Sequence, residues 1–206
     1  MTTRRSGGIL ALLAGRARFA RSLDVAVMGR AIPPSWHTPR AEAERVFRRR
    51  ITACADVLAD HGIAVALEFM GPLHLRRARP HPFIWRMADA ARFARSCGPT
   101  VGLLLDAWHW HHAGGTRADI VDAGDLILQV QVADAGDWRP EDVRDDLRLV
   151  PGQGVIDFGA FYGALRELGY DGPVSPEIFG FPADHEKLVE GAAAVRAAVE
   201  STMRPS

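Results

Sequence analysis

The sequence predicts an α/β fold built on parallel strands, and three observations carry that expectation. Short apolar runs alternate with helical segments along the whole chain. The runs are continuous rather than alternately polar and apolar, as strands buried on both faces require. Four of the five runs also finish in a carboxylate or carboxamide at the same, C-terminal, end.

The elements follow in order. LDVAVMG (23–29) is the first strand. Thr38 followed by Pro39 reads as an N-cap and a proline in the first helical position, opening a helix to about His61. IAVALEF (63–69) is the second strand, and FIWRMADAARFARSCG (83–98) a helix ending at glycine. VGLLLD (101–106) is the third strand, a shorter helix lies near 117–123, and LILQVQVAD (126–134) is the fourth strand. A long loop then carries PGQG (151–154). Asp157 caps a helix through Leu168, with Gly169 placed to end it. PVSPEIF (173–179) is the fifth strand, and residues 184–202 form an Ala-rich closing helix. No linker divides the chain, so 1–206 reads as one domain, with 1–22 left without a defined element.

Bulk properties exclude several classes. Lys and Arg number 25 and Asp and Glu 25, a formal balance that gives no electrostatic grip on nucleic acid. No apolar run reaches the ~18 residues of a membrane span. The start of the chain, MTTRRSGGILALLAGRARFA, loosely mimics an export signal, but Arg16, Arg18 and Arg21 follow its short apolar stretch at once. Cys54 and Cys97 are isolated thiols, neither a disulfide framework nor a CxxC site, so a reducing cytoplasm is the expected compartment.

The polar strand ends carry the chemistry. They are Glu68 in VALEF, Asp106 in LLLDAWHW, Gln131 with Asp134 in LQVQVADA, and Glu177 in SPEIF. In parallel α/β folds this edge of the sheet is where ligands bind. Three carboxylates meeting in one mouth repel each other unless a cation sits between them. With Gln131 binding through its carbonyl, Glu68, Asp106, Gln131 and Glu177 offer oxygen donors alone, which favours a hard ion such as Mg²⁺ or Mn²⁺. Other features have plainer readings. Trp108 and Trp110 are core packing, His111 and His112 solvated loop or helix-start residues, and His74 and His81 surface residues of an Arg-rich loop. Arg48, Arg49 and Arg50 form a solvated helix face. Gly152 and Gly154 are turn formers rather than a phosphate cradle, since no lysine follows.

Taken together, VALEF, VGLLLDAWHWH, LQVQVADA, PGQGVIDF and GYDGPVSPEIF, in this order, resemble the xylose isomerase-like TIM-barrel family over roughly residues 23–200. That family holds sugar and sugar-phosphate isomerases and epimerases, inosose and 3-dehydroshikimate dehydratases and, more distantly, apurinic endonucleases. The resemblance implies a (β/α) TIM-barrel-type fold that is incomplete, with about five C-terminal strand–helix units of eight. It puts the family's metal-binding acids on Glu68, Asp106 and Glu177, and its fourth ligand, often histidine, on Gln131. It also implies substrate contacts from His109 of the DxxH motif and from Arg148 just before PGQG.

The chemistry expected of such a site is proton abstraction next to a carbonyl, with a divalent metal as Lewis acid and Glu68 and Glu177 as catalytic base and acid. The outcome is isomerisation or epimerisation of a sugar or sugar phosphate, with dehydration of the inosose or 3-dehydroshikimate type as the alternative. A non-catalytic shortened barrel is a second alternative, and a DNA-repair nuclease the least favoured. Expected partners are a small polyol or keto-sugar substrate, no nucleic acid and no membrane. The open barrel edge calls for cover, from residues 1–22 or from a second copy in a homo-oligomer.

Overall fold

A computed structural model of the protein describes residues 3–179 and 185–204. Its centre is a five-stranded parallel half-barrel in the order β1-β3-β5-β6-β7, with β1 at Val27–Ala31, β3 at Ala64–Glu68, β5 at Val101–Asp106, β6 at Ile127–Val132 and β7 at Val174–Pro176. A small antiparallel pair, β2 (Ser35–Trp36) and β4 (His81–Pro82), stands apart from it. The helices are α1 (Thr3–Ser22), α2 (Arg40–Ala59), α3 (Leu73–Arg76), α4 (Met87–Cys97), α5 (Ala107–His112), α6 (Arg117–Ala123), α7 (Phe158–Glu167) and α8 (His185–Met203). This is the architecture of an incomplete TIM barrel, as the sequence led us to expect.

Burial grades across the sheet. All six residues of β5 are buried, whereas β1 and β7 at the edges are partly exposed. The expectation of strands covered on both faces therefore holds at the centre and not at the edges, where each strand has a neighbour on one side alone. Behind the sheet, α4 turns Met87, Ala90, Ala91, Ala94 and Cys97 inward at helical spacing. Phe83 links Phe47 and Phe93, with ring centroids 5.2 and 6.3 Å away. Phe83 and Phe93, both fully buried, each contribute about 1.5–3 kcal/mol.

Several boundaries move, each for a local reason. The first strand starts at Val27 rather than Leu23, because α1 runs to Ser22 and Asp24 turns the chain with φ 59°. The segment 1–22 is thus helical from Thr3, and Leu13, Ala17 and Ala20 pack inward from it. At α2 the cap is Pro39, whose ψ of 148° keeps it outside the helix; Thr38 makes no capping bond, and the Pro39 carbonyl accepts from Glu42 and Ala43 instead. The helix expected from residue 83 starts at Met87, since Phe83 is tied by its amide to the Pro34 carbonyl beside β4. A 3₁₀ turn at Gly124–Leu126 delays β6 to Ile127. The β7 ladder is only three residues long, Val174–Pro176, with one further bond from the Glu177 amide to the Val132 carbonyl. For α8, residue 184, its expected start, lies outside the described residues.

Two local devices shape the mouth of the half-barrel. Asp106 is both the last residue of β5 and the N-cap of α5, its Oδ1 accepting from the His109 amide at 2.9 Å. Gly71, just after β3, lies so close to α5 that a Cβ there would sit 2.2 Å from the His109 carbonyl oxygen. Only glycine lets the β3–α3 connection close onto the histidine helix. Gly71→Ala is therefore expected to cost about 1–3 kcal/mol, the usual penalty of overpacking, read as a fall in Tm with the secondary-structure content kept.

Candidate active site

The sheet order does most of the assembly. Glu68, Asp106, Gln131 and Glu177 stand at the C-terminal ends of four successive neighbours, β3, β5, β6 and β7. Asp106 pairs directly with Gln131 in the ladder, and the Glu177 amide donates to the Val132 carbonyl at 3.0 Å. Ligand atoms of Glu68, Asp106 and His109 lie within 4.8 Å of one another. The structure thus adds His109 to the acids. Glu177 is held against them through a shared arginine rather than in that tight group.

That arginine is Arg148, buried at the centre of the site. Its Nη1 donates to Asp106 Oδ2 at 2.7 Å and to Glu177 Oε2 at 2.9 Å, while Nη2 lies 3.3 Å from His109 Nε2. The guanidinium also lies over the Trp108 and Phe179 rings, 4.7 and 5.2 Å from their centroids. Burial opposes its charge, but Asp106 and Glu177 outweigh that and hold it protonated. Burial would likewise raise Asp106, yet the Arg148 guanidinium and the His109 amide beside it bring the carboxyl below the usual range. His109 is pushed down by burial and stays neutral. Its Nε2 faces the Arg148 guanidinium, and its Nδ1 is buried without a hydrogen-bond partner.

Arg148 does not serve the other half of the cluster. Glu68 Oε1 and Gln131 Oε1 are both buried without a hydrogen-bond partner, and His109 Nε2 is 3.7 Å from Glu68 Oε1. Burial, with Asp106 and Glu177 close by, pushes the Glu68 carboxyl up to about 8. Glu177 is also raised, by burial first and Asp106 next, with Arg148 pulling the other way. Two unpartnered buried oxygens beside a carboxylate form a donor set that fits a hard divalent cation.

Asp134 has a role that sequence reasoning missed. Its carboxylate accepts from the amides of Ala135, Gly152, Gly154 and Ile156 at 2.8–3.0 Å. Its backbone forms a bridge with Leu149, next to Arg148. The PGQG amides are consequently taken up by Asp134, in keeping with their reading as turn formers. A Cβ at Gly154 would sit 2.2 Å from the Ala135 carbonyl oxygen, so glycine is required. Asp145, half-buried and acting on Glu68, His109 and Arg148, was also missed, and RDDLRLV carries no motif that marks it. Trp108 and Trp110 are buried, as expected of packing residues. His111 and His112 differ from expectation: they are half-buried on α5, and burial first, with the neighbouring imidazoles and Arg148 next, drives His112 down to about 3.

A half-barrel with acids converging at the C-terminal ends of its strands is the arrangement of a TIM-barrel enzyme. A profile of the xylose isomerase-like TIM barrel family matches residues 9–199, and the chain belongs to that family. It is similar to the inosose isomerase of Bacillus velezensis, 30% identical over 142 residues, which are 68% of this chain and 48% of that protein. It is similar also to the 3-dehydroshikimate dehydratase of Pseudomonas putida, 39% identical over 118 residues, 52% of this chain and 17% of that protein. The chain thus spans about half the length of the inosose isomerase it matches. Its structure overlays on a xylose isomerase domain protein from Alicyclobacillus acidocaldarius with a TM-score of 0.83 at 34% identity, covering 94% of this chain and 70% of that one. It overlays on the IolI protein with a bound zinc atom with a TM-score of 0.80 at 22% identity, covering 98% and 72%, a likeness of fold alone.

Two outcomes follow from this geometry. Asp134→Ala would strip four amides of their acceptor and is expected to cost on the order of 2 kcal/mol or more, seen as a lower urea midpoint. Between pH 4.5 and 8 the folded protein holds a proton on Glu68 that the unfolded chain has released. The metal-free protein should therefore lose stability as pH rises through that window, measured as Tm against pH. Added Mn²⁺ should oppose that loss.

Proposed function

We propose that this chain is a divalent-metal-dependent isomerase or epimerase of a small keto sugar or polyol, working by proton abstraction next to a carbonyl. The observation that carries the reading is the tight group of Glu68, Asp106 and His109, in which Glu68 Oε1 is buried without a partner, together with the buried, unpartnered Oε1 of Gln131, the register partner of Asp106. Glu68, Asp106, Gln131 and Glu177 would hold the cation, with Mg²⁺ or Mn²⁺ suited to their oxygens. When bound, it would act as a Lewis acid on a carbonyl and its neighbouring hydroxyl.

The chain's own residues divide the remaining work. Burial raises both glutamates, and it brings Glu68 to about 8, near the pH at which a carboxyl can take and return a proton with little bias. Glu68 and Glu177 are assigned as the catalytic pair on these grounds. Arg148 offers a fixed positive charge to an oxygen that gains negative charge as the proton leaves. Neutral His109 orients a substrate oxygen beside it. Trp108 and Phe179 cover the guanidinium and limit its exposure to water.

A dehydratase reading shares the first step and differs in expelling a β-hydroxyl. Gln131 in place of the family's frequent histidine favours it, as does the similarity to the P. putida dehydratase. The free thiols, half-buried Cys54 and buried Cys97, suit a reducing cytoplasm.

Incubation in deuterated water with Mn²⁺ and a panel of keto sugars and keto acids tests the reading. Deuterium should enter the carbon next to the carbonyl, and Glu177→Gln should slow that exchange about 100-fold or more. A new ultraviolet band from a conjugated enone would mark dehydration instead. A protein that binds no metal and exchanges no deuterium would show a non-catalytic barrel.

A further inference from the structure

A second feature of the mouth has no part in the chemistry above. Three successive strand–helix connections, after β3, β5 and β6, enclose a cavity of about 260 Å³ lined by Leu73, Arg76, His111, His112, Trp138 and Val143, among others. It opens on the same edge of the sheet as the acids, because those three strands end in Glu68, Asp106 and the Gln131 segment. One aromatic layer separates the two. The His112 ring packs against Trp108 at 4.4 Å, and Trp108 carries Arg148 on its face.

The lining is positive and has no acid among its named residues. Arg76 has no carboxylate partner among the described residues; its guanidinium lies over Trp85 at 4.2 Å, and its Nε is buried without a partner. The charges that act on it are those of Arg77 and Arg86, both repulsive. His112 Nε2 is likewise buried and unpartnered. Burial keeps His111 and His112 neutral, so they can accept or donate hydrogen bonds without adding charge. An unpaired guanidinium, two imidazoles and a tryptophan around a space suited to a small ring or short chain form a receptor for an oxyanion.

We propose that this cavity is an oxyanion site beside the acids, separate from them, and that it takes a carboxylate or phosphate with Arg76 as the charge partner. The inference is independent of the reaction proposed above. A neutral polyol or free sugar would leave Arg76 unanswered.

Calorimetric titration of the full chain, with and without Mn²⁺, tests this through two matched pairs of probes. Shikimate against myo-inositol reads a carboxylate, and fructose 6-phosphate against fructose reads a phosphate. At least one anionic probe should bind 10-fold or more tightly than its neutral partner, and the stronger arm identifies the anion. Arg76→Gln should remove that preference while changing neutral-probe affinity less than twofold and leaving Mn²⁺ binding intact. Arg77→Gln, at an exposed neighbour outside the cavity, should keep the preference. Equal binding of charged and neutral probes would overturn the proposal, as would equal losses in the two arginine variants. Because these readings need no turnover, loss of the isomerase reading would show separately, as absent deuterium exchange with the anion preference intact.

Discussion

The site depends on a balance of charge at one end of a parallel sheet. Three carboxyl groups are brought to neighbouring strand ends by the topology alone, and a single guanidinium is placed among them. Arg148 answers Asp106 and Glu177 at hydrogen-bond distance and does not reach Glu68. The shortfall is visible in Glu68 itself, which retains a proton near neutrality. A buried carboxyl in that condition either binds a cation or works as an acid, and the proposed chemistry asks for both at different moments.

The helices and loops matter here chiefly for what they hold still. Asp106 is fixed by capping α5, so the residue that faces Arg148 also orients the helix carrying His109. Gly71 brings the β3 connection against that same helix, setting the Glu68 side of the mouth beside the histidine. Asp134 gathers the PGQG amides into one compact turn. Each device uses a backbone group that would otherwise need a partner at the end of an element.

Much of this was legible in the sequence. The strand–helix alternation, the family and the four polar strand ends could all be read from apolar runs that stop at Glu68, Asp106, Gln131 and, one residue past β7, Glu177. Strand ends are readable because a charge there breaks an apolar run. Arg148 was recognisable only through family resemblance, and its double bridge was not, since a contact spanning 42 residues leaves no local pattern. Asp134 looked like one more polar strand end because its partners lie 18–22 residues further on. His111 and His112 seemed solvated, as the loops after β3 and β6 that cover them have no apolar periodicity to reveal their closure. The start of β1 was placed too early because Leu23 extends the apolar run, while the turn at Asp24 breaks the extended backbone.

The bridge between Asp134 and Leu149 has a consequence for how such a chain can diversify. It pins both ends of the 135–148 excursion, so Arg148 stays in place whatever the length of chain between them. Insertions in that stretch would redraw the wall formed by Trp138 and Val143 without disturbing the residues that move protons. New ligand preferences could then accumulate in a segment whose hold on the reaction centre is confined to its last few residues, Asp145 and Arg148.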